Sequence, residues 1–560
     1  MAFLMPIDFF CNFTNDNLMF NHKDLNSLPM LNKLILGIFL LAPCSSMVAQ
    51  NPKQGVIYHQ SFDAPQSEAI RMAEIATRDS SSLFQVHTSS YSEGLKGKAL
   101  DLTDEVAYRI PLSLTKKDCP SFDDGCSFSL QVWVKTKPNA PLGTPIMTNT
   151  TTHDPTGWCI GTQENGAWYL SLYDGKNSYT YQPTAQRQAI NDGKWHQITV
   201  SIDKTQKEVW MYLDGRNVAI YHIEGLKSLE SKFRTFIGGS DEYQDWGCHG
   251  EWTAFNGKID EVRMWNRPVS STEVRESYEQ FFPLPPLYPS YKPDRLKVQV
   301  WNIWHGGHRF GKQVGVNRVI EVLKKENADV IGLIETYGSG AIIADSLGYY
   351  FYLISSNLSI MSRYPIDKTI RLFHPFNSGG ALIRLSEKQR IAFYDIWLQC
   401  MPDVSEQNKG MAAVKKYEEE EAQTRVPEIK EILKQMSPYT AQSAETPVIL
   451  VGDFNCDSHL DWNEQYLGSY AKSQVSPLVI GEGFTDSFRH LYPNVSLCPG
   501  ATWSPTMNLG FRELRCPPQR IDFIYYKGDK LIPYRSETLS HHPVGWPSDH
   551  GSVVTSFYFK

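Results

Sequence analysis

The hydrophobic pattern of this chain changes near residue 295, and this change most limits the folds it can adopt. Before it, short segments such as 195–203 alternate apolar and polar residues and end in Gly or Asp turns. This period of two predicts antiparallel strands. After it, buried strands at 296–304 and 328–335 flank a segment with helical spacing at 315–328. Strands that alternate with helices are typical of a layered α/β domain.

The pattern predicts two domains, because 560 residues are too many for one hydrophobic core. Residues 51–280 are expected to form an all-β jelly-roll sandwich, since their strands are many, short and evenly spaced. Residues 281–294 contain five prolines and are expected to form an extended, stiff linker. Residues 295–560 form the α/β part. With 41% hydrophobic and 21% charged residues, the composition is that of globular material without disorder.

Residues 1–49 are interpreted as an upstream segment followed by a secretory signal. Lys33 precedes an apolar run at 34–42, and small residues follow that run, as in a signal peptide. The run is too short to span a membrane, so we expect no transmembrane segment. Translation is expected to begin at Met30. These features predict a secreted or periplasmic protein, and Cys44 after a Leu-Ala-Pro segment leaves a lipid anchor at the cell surface open.

Export makes disulfides plausible for the eight cysteines that follow the signal, because oxidising compartments favour them. Cys119 and Cys126 flank a short polar loop and are the predicted pair. Cys498 with Cys516 is the second candidate pair. None of the eight has the spacing of a zinc finger.

Three segments of the first half, at 192–203, 211–216 and 256–274, resemble laminin-G-like, concanavalin A-like domains. The resemblance covers nearly all of residues 55–280. It implies a β-sandwich that binds a glycan or a cell-surface protein, but it names no particular ligand.

Two groups of residues in this half could be read as binding groups. Asp260 and Glu261 lie in a segment that recurs for reasons of fold, and we interpret them as structural. Tyr243, Trp246 and Trp252 could stack on a sugar, and packing in a core or loop is an equal alternative for them.

In the second half, polar side chains stand where the apparent strands end. The buried run at 448–451, for example, leads directly into Gly452, Asp453 and Asn455. Strand ends are where α/β sheets usually place their chemistry. The same position is occupied by Asn302, Glu335, Asp522, Ser548, Asp549 and His550. Each residue alone could be a turn or a cap, but a structural explanation of the whole set is improbable.

This ordered set resembles the endonuclease/exonuclease/phosphatase superfamily, which includes pancreatic-type deoxyribonucleases, apurinic endonucleases, neutral sphingomyelinases and inositol polyphosphate phosphatases. The resemblance rests on Asn302, Glu335, SRYPI at 362–366, GDFN at 452–455, RIDFI at 520–524 and SDH at 548–550. It implies an α/β four-layer sandwich over residues 295–560.

Hydrolysis of a phosphate ester requires charge neutralisation and an activated water molecule. Hard oxygen ligands suit Mg²⁺ or Mn²⁺, so Glu335 is the best single ligand candidate, with Asn302 beside it. The resemblance places Asp549 at the metal as well.

The resemblance also assigns four catalytic roles. Asp453 orients or deprotonates the attacking water, and Asn455 holds that water or a phosphate oxygen. His550 donates to a phosphate oxygen and is oriented by Asp522. No covalent enzyme intermediate is implied.

The chain departs from many relatives at Trp397, where they carry a His before Leu. Apurinic endonucleases also lack that His, so activity is not excluded. The loop after Asn302 contains His305, His308 and Arg309. These residues could shape the substrate pocket, or His305 could only pack near the metal.

The sequence therefore predicts an exported, divalent-metal-dependent phosphoesterase that hydrolyses a phosphate mono- or diester with activated water, targeted by a lectin-like domain. The net charge of −7 provides no general attraction to polyanions. A soluble phosphomonoester or a lipid-type diester is favoured over DNA for that reason. The alternatives are a secreted nuclease acting on DNA or RNA and, in another class, a glycan-binding adhesin with an inactive second domain.

Overall fold

The fold is described by a computed structural model. It covers residues 55–63, 75–78, 84–87, 89–106, 109–140, 142–151, 154–245, 250–403, 410–461, 473–504 and 519–560. The predictions on residues 1–49, on the side chains of Tyr243, Trp246 and Trp252, and on Cys516 lie outside what it describes. No helix in the described ranges is long and apolar enough to cross a membrane.

The first half consists almost entirely of strands. They are β1 (Val56–Gln60), β2 (Ile75–Arg78), β3 (Phe84–His87), β4 (Ser90–Glu93), β5 (Lys98–Asp101), β6 (Leu112–Leu114), β7 (Phe128–Lys135), β8 (Pro145–Thr148), β9 (Gly157–Thr162), β10 (Trp168–Tyr173), β11 (Ser178–Tyr181), β12 (Trp195–Asp203), β13 (Glu208–Leu213), β14 (Arg216–His222), β15 (Thr235–Ile237), β16 (Gly239–Asp245), β17 (Gly250–Ala254) and β18 (Lys258–Trp265). The helices are α1 (Ala185–Gln188) and α2 (Ser271–Glu279).

These strands form the predicted sandwich. One sheet has the order β14-β13-β12-β7-β18-β5-β4, and the other has the order β11-β10-β9-β8-β15-β6. Strand β7 is buried on both faces, because helix α2 covers the side that faces away from the second sheet. There the Trp133 ring stacks on Tyr278, with 5.3 Å between ring centroids. Helix α2 begins with a capping box between Ser270 and Glu273, which satisfies its first backbone amides.

The second half alternates strands and helices. Its strands are β19 (Arg295–Asn302), β20 (Val330–Ile334), β21 (Tyr350–Leu353), β22 (Leu358–Ser362), β23 (Ile366–Arg371), β24 (Ser378–Ser386), β25 (Gln389–Trp397), β26 (Val448–Asp453), β27 (Thr485–Asp486), β28 (Asp522–Lys527), β29 (Leu531–Leu539) and β30 (Ser552–Phe559). Its helices are α3 (Lys312–Glu326), α4 (Gly340–Leu347), α5 (Met411–Gln423), α6 (Arg425–Thr440), α7 (Val475–Gly481) and α8 (Ser487–Leu491).

Two sheets of this half pack face to face. Their orders are β29-β30-β19-β20-β22-β21 and β23-β24-β25-β26-β28-β27. One buried apolar cluster joins them, with Val298 and Val300 on the first sheet and Ile449 and Val451 on the second. A separate cluster packs α6 and α7 against the outer face of the second sheet. The four-layer α/β sandwich is confirmed.

The two halves share one sheet. Strand β14 pairs in parallel with β21 through Ile220 opposite Tyr352, and this pairing gives a sheet of 14 strands. The Pro-rich segment also packs against both sides. Phe281 meets Trp133 edge-on at 5.3 Å between centroids, and Arg384 lies 4.9 Å from the ring of Tyr288. Residues 281–294 are therefore held on the surface of both halves.

The predicted disulfide between Cys119 and Cys126 is wrong, because both residues are free thiols. Phe122, which lies between them, is only 4% exposed, and its carbonyl accepts the Leu229 amide at 2.8 Å. The loop is thus fixed by core packing. Burial raises the pKa of the Cys119 thiol to about 11, while a hydrogen bond with the Thr235 side chain, which favours the thiolate, lowers it.

The glutamate run at 418–421 reads as a solvated helix face, but Glu421 is fully buried. It accepts the backbone amide of Gln474 at 2.9 Å and lies 3.6 Å from Arg425. The segment is predicted to be helical on both sides of Pro427, and it is, with α5 ending at Gln423 and α6 beginning at Arg425. Pro427 lies in the first turn of α6, where no amide is needed.

Candidate active site

The candidate site lies where the two facing sheets present their strand ends. Asn302 is the last residue of β19, and Asp453 is the last residue of β26. Strand β28 begins at Asp522, which pairs directly opposite Asp453 in the antiparallel ladder. Asn302 and Asp522 are about 220 positions apart in the sequence. The fold nevertheless brings them to one edge, as expected for an α/β sheet.

Asn302 connects the two sheets. Its side-chain Nδ2 donates to Glu335 Oε1 at 3.2 Å and to Asp453 Oδ2 at 3.1 Å. Its Oδ1 accepts the backbone amide of Trp304 at 3.0 Å. The side chain is buried, so these bonds fix the separation of the two carboxylates.

Glu335 directly follows the last residue of β20 and has a positive φ of 59°. Its Oε2 accepts the backbone amide of His305 at 2.8 Å. Its own amide donates to Oδ1 of Asn357 at 3.0 Å. Left-handed backbone is uncommon outside glycine, and here the Asn357 side chain holds it in place. Glu335 is half-buried and faces the site.

Asp549 is half-buried beside Glu335, and its Oδ1 atom is buried without a hydrogen-bond partner among the described residues. Burial raises the pKa of Asp549 to about 6; the charge of His550 lowers it, and that of Glu335 raises it. Two carboxylates that repel each other, together with an unpartnered oxygen, form a suitable place for a cation.

His550 and Asp522 form a buried pair, with Nδ1 of His550 2.9 Å from Oδ2 of Asp522. Nε2 of His550 points toward Asp453, 3.8 Å from its Oδ2. Burial lowers the pKa of His550, but the charges of Asp522 and Asp453 outweigh this effect and hold it well above its usual range. His550 is therefore a protonated donor beside the base candidate.

Asp453 is buried, and burial raises the pKa of its carboxyl group, with the charge of His550 acting in the opposite direction. Its Oδ1 accepts the backbone amide of Asn455 at 2.9 Å. The Asn455 side chain is turned away from that carboxylate, because its Nδ2 donates to the carbonyl of Leu398 at 2.8 Å. Its Oδ1 remains as the atom that could face a ligand.

The loop after Asn302 contributes less than its composition indicates. His305 is exposed and lies over Tyr337, with 6.2 Å between ring centroids. Arg309 donates to the carbonyl of Ser548 at 3.0 Å, so it braces the loop that carries Asp549. His308 is half-buried, and burial lowers its pKa. Of these residues, His305 lies nearest to the candidate metal ligands.

Two hydroxyl residues support the site. Ser548, which belongs to the predicted set, donates to the carbonyl of Asn302 at 2.7 Å and so ties the terminal loop to β19. Thr502 was not predicted from the sequence. It accepts the amides of Ile521 and Asp522 through its Oγ1 at 3.1 and 3.2 Å, and no local pattern distinguishes it from an ordinary turn residue.

An aromatic pair lies beside Asp453, and of its two members the sequence pointed to Trp397 but not to Phe376. Trp397 is paired with Asp453 in the parallel ladder between β25 and β26. Phe376 meets the Trp397 ring edge-on at 5.9 Å between centroids and is 43% exposed. We call Phe376 and Trp397 the aromatic shelf. It offers exposed ring surface next to the polar centre.

Two groups of side chains could hold a metal ion. Ligand atoms of Asp453, Asp522 and His550 lie within 4.8 Å of one another, but His550 Nδ1 is bonded to Asp522 Oδ2, although Asp522 Oδ1 is buried without a hydrogen-bond partner among the described residues. Glu335 and Asp549 supply oxygen atoms, one of them unpartnered, with Asn302 beside them. Hard oxygen ligands fit Mg²⁺ or Mn²⁺, so the second group fits such an ion better.

Family comparisons agree with this architecture. Residues 113–275 match the model of the Concanavalin A-like lectin/glucanases superfamily. Residues 300–550 match the model of the Endonuclease/Exonuclease/phosphatase family. The chain thus carries an endonuclease/exonuclease/phosphatase domain, of the phosphoesterase and nuclease type, behind a concanavalin A-like domain.

Three individual proteins are similar to parts of the chain. Uncharacterized protein F14F9.5 of Caenorhabditis elegans is 28% identical over 294 residues, which are 47% of this chain and 91% of that protein. The crystal structure of D. rerio TDP2 complexed with single strand DNA product is 16% identical, covering 47% of this chain and 99% of that one, with a TM-score of 0.34. The binding domain of Paraclostridial Mosquitocidal Protein 1 is 12% identical, with a TM-score of 0.31; the match covers 41% of this chain and about half, 53%, of that one.

Proposed function

We propose that the second domain hydrolyses a phosphate mono- or diester with water, assisted by Mg²⁺ or Mn²⁺. The observation that carries this proposal is the Asn302 side chain, whose Nδ2 bridges Glu335 and Asp453 at 3.2 and 3.1 Å. This bridge holds a candidate metal ligand and a candidate base at a fixed separation, as a preorganised site requires.

Glu335, Asn302 and Asp549 are the residues that would hold the ion, which would neutralise charge on the phosphate oxygens when bound. Asp453 is placed to orient the attacking water and to accept its proton, because burial raises the pKa of this carboxyl group. The adjacent Oδ1 of Asn455 is free to hold that water or a phosphate oxygen.

His550 is placed to donate a proton or hydrogen bond to a phosphate oxygen. Asp522 orients the imidazole through Nδ1 at 2.9 Å, which leaves Nε2 to face the site. His305 is the remaining candidate for contact with substrate. His308 and Arg309 are assigned to shaping the loop around it.

A soluble phosphomonoester or a lipid-type diester is our first choice of substrate, because the chain has a net charge of −7 and so no general attraction to a polyanion. A nuclease acting on DNA or RNA is the second candidate. The aromatic shelf of Phe376 and Trp397 favours it, since bases of single strands stack on exposed aromatic rings. We further propose that the protein is exported and that a glycan or cell-surface ligand of the first domain targets it.

The test is hydrolysis of bis-p-nitrophenyl phosphate, p-nitrophenyl phosphate, sphingomyelin and plasmid DNA, each with Mg²⁺, with Mn²⁺ and with EDTA. We expect hydrolysis that EDTA abolishes and that the Glu335→Ala and His550→Ala variants lose while both remain folded by circular dichroism. Plasmid nicking without cleavage of the other substrates would favour the nuclease. Full activity in EDTA, or in both variants, would overturn the proposed mechanism.

A further inference from the structure

A cleft of about 520 Å³ lies between the two halves of the chain. The first half contributes helix α1, the turn between β13 and β14, and Tyr278 of α2, while the second half contributes residues 348–350 and Arg363. Its volume is within the range of small-molecule sites, which occur preferentially between domains. Neither half could form this cleft alone.

The cleft is distinct from the candidate active site. Tyr350, which lines it, pairs with Ser362, and Ser362 pairs with Val330 at the start of β20. Glu335 follows the other end of that strand. With a rise of about 3.3 Å per residue, Val330 and Glu335 are roughly 16 Å apart. A ligand in the cleft would therefore not contact the candidate metal ligands.

The lining of the cleft is positively charged. Arg187, Arg216 and Arg363 line it, against a single carboxylate, Asp214. That carboxylate is already engaged, since its Oδ2 lies 2.8 Å from Nδ1 of His196 and its Oδ1 accepts the amide of the next residue along β12, Gln197, at 2.9 Å. Arg187 lies 3.5 Å from the carboxylate of Asp345 and Arg363 lies 3.1 Å from that of Asp329, so Arg216 supplies the charge that has no partner among the described residues.

Two of these guanidinium groups have nitrogens available for a ligand. Arg216 is exposed and has neither a hydrogen bond nor an ion pair within the described parts of the chain. Arg187 uses Nε to contact the carbonyl of Asp345 at 3.1 Å, so its terminal nitrogens are left over. Arg363 is held by Asp329 at 3.1 Å, and its Nη2 donates to Asn327 and Tyr349, so it forms part of the wall of the cleft. Guanidinium groups are suited to planar or tetrahedral anions.

The same cleft presents aromatic rings. Tyr278 and Tyr350 line it and are half-buried, whereas Tyr349 is buried and its hydroxyl group donates to the carbonyl of Ala328. Burial raises the pKa of Tyr278 to about 12, so its hydroxyl group is a neutral donor at physiological pH. Tyrosine rings pack against the apolar faces of sugars, and their hydroxyl groups can bond to sugar oxygens. The lining thus combines anion donors with surfaces that fit a ring.

We infer that this cleft binds an acidic saccharide, with a carboxylate or sulfate group held by Arg216 and Arg187 and the sugar ring against the tyrosines. Because both halves line the cleft, the bound ligand would also hold the halves together. This site is independent of the phosphoesterase activity proposed above.

The test is isothermal titration of the full chain with three probes at low salt. A heparin-derived sulfated disaccharide supplies sulfate, a hyaluronan disaccharide supplies carboxylate, and chitobiose is neutral. Arg216→Gln and Arg187→Gln are compared with Arg535→Gln, an exposed arginine of β29 that pairs with Glu537 at 2.9 Å. Inorganic sulfate is titrated separately to measure binding of the anion alone.

We expect at least one acidic disaccharide to bind more tightly than both chitobiose and inorganic sulfate. Arg216→Gln should weaken that binding about tenfold or more, Arg187→Gln should weaken it as well, and Arg535→Gln should leave it unchanged. Hydrolysis of bis-p-nitrophenyl phosphate should be the same in Arg216→Gln and wild type. The inference is overturned if no acidic probe binds, if chitobiose or sulfate binds equally well, or if Arg216→Gln behaves like the control.

Discussion

Nδ1 of His550 lies 2.9 Å from Oδ2 of Asp522, inside the protein and between two facing sheets. The two residues are fixed by separate parts of the chain. Thr502 holds the backbone at Asp522, and Ser548 accepts the amide of His550 at 3.0 Å. The pair is thus set by the fold, and it determines which imidazole nitrogen faces the candidate site.

This relationship predicts that His550 and Asp522 act as one unit. Asp522→Asn, which keeps the shape but removes the charge, should lower kcat roughly 10²-fold or more, within the range of general acid catalysis. His550→Ala should cost at least as much. The double variant should be no worse than His550→Ala, because the carboxylate acts only through the imidazole.

The measurement is kcat for the best substrate of the panel, with Asp529→Asn, an exposed residue of the β28–β29 turn, as the control. Losses that multiply in the double variant would mean that Asp522 acts independently of His550.

Glu335→Gln should remove the stabilisation that a bound ion provides. A site that is saturated at 100 times its dissociation constant gains about 2.7 kcal/mol, so wild type should melt at a higher temperature in Mg²⁺ or Mn²⁺ than in EDTA. The variant should lose this difference. In EDTA it should melt no lower than wild type, because the repulsion between Glu335 and Asp549 is removed.

Calorimetry in EDTA and in each metal measures both effects, with Glu387→Gln on the exposed β24–β25 turn as the matched control. A metal-dependent increase that persists in Glu335→Gln would exclude Glu335 as a ligand.

The position of the site could be predicted because its main residues follow recognisable strands. Asn302, Glu335 and Asp453 each end an apolar run, and the two sheets bring those ends together. The supporting residues could not be predicted in this way. Thr502 reaches Asp522 from a loop 20 positions earlier, and Phe376 meets Trp397 only after β24 and β25 have paired. Such contacts depend on tertiary packing, which leaves no periodic signal.

Dependence on tertiary packing also explains why the burial of Glu421 and the pairing of β14 with β21 were not predicted. A run of glutamates is solvated by default, but Glu421 is buried because Arg425 lies 3.6 Å away and the Gln474 amide binds it. The pairing of β14 with β21 joins strands from the two halves. It depends on two sheet edges meeting, and the sequence of neither edge strand specifies the other.

Arg520→Met should destabilise the protein by about 3–5 kcal/mol, because it leaves the buried Asp486 carboxylate without its cation and leaves Asp461 with Arg489 alone. Arg520 is 3% exposed. It contacts Asp461 at 2.9 Å and Asp486 at 2.8 Å, and it stands two residues before Asp522. Arg520→Lys should recover part of the loss, since it keeps the charge but not the forked geometry.

Urea unfolding measures the change, with Arg535→Gln as the control for an exposed pair, for which we expect less than about 1 kcal/mol. A loss of that small size for Arg520→Met would mean that the two carboxylates find other partners or take up protons.

Asp395→Asn should stabilise the protein at neutral pH and have little effect under acidic conditions. Asp395 is fully buried in β25, and burial raises the pKa of its carboxyl group well above its usual range, with the charge of Asp453 acting in the same direction. The folded state therefore binds this proton more tightly than the unfolded state, in which the pKa is about 3.9. Stability of the wild type falls as the pH rises from about 4 toward the folded pKa. The amide cannot ionise, so the variant escapes that loss.

Urea unfolding at pH 5, 7 and 9, with Asp529→Asn as the exposed control, should give a difference in free energy of unfolding that grows with pH in favour of Asp395→Asn. A difference that is constant across this range would show that the carboxyl group keeps its ordinary pKa in the folded protein.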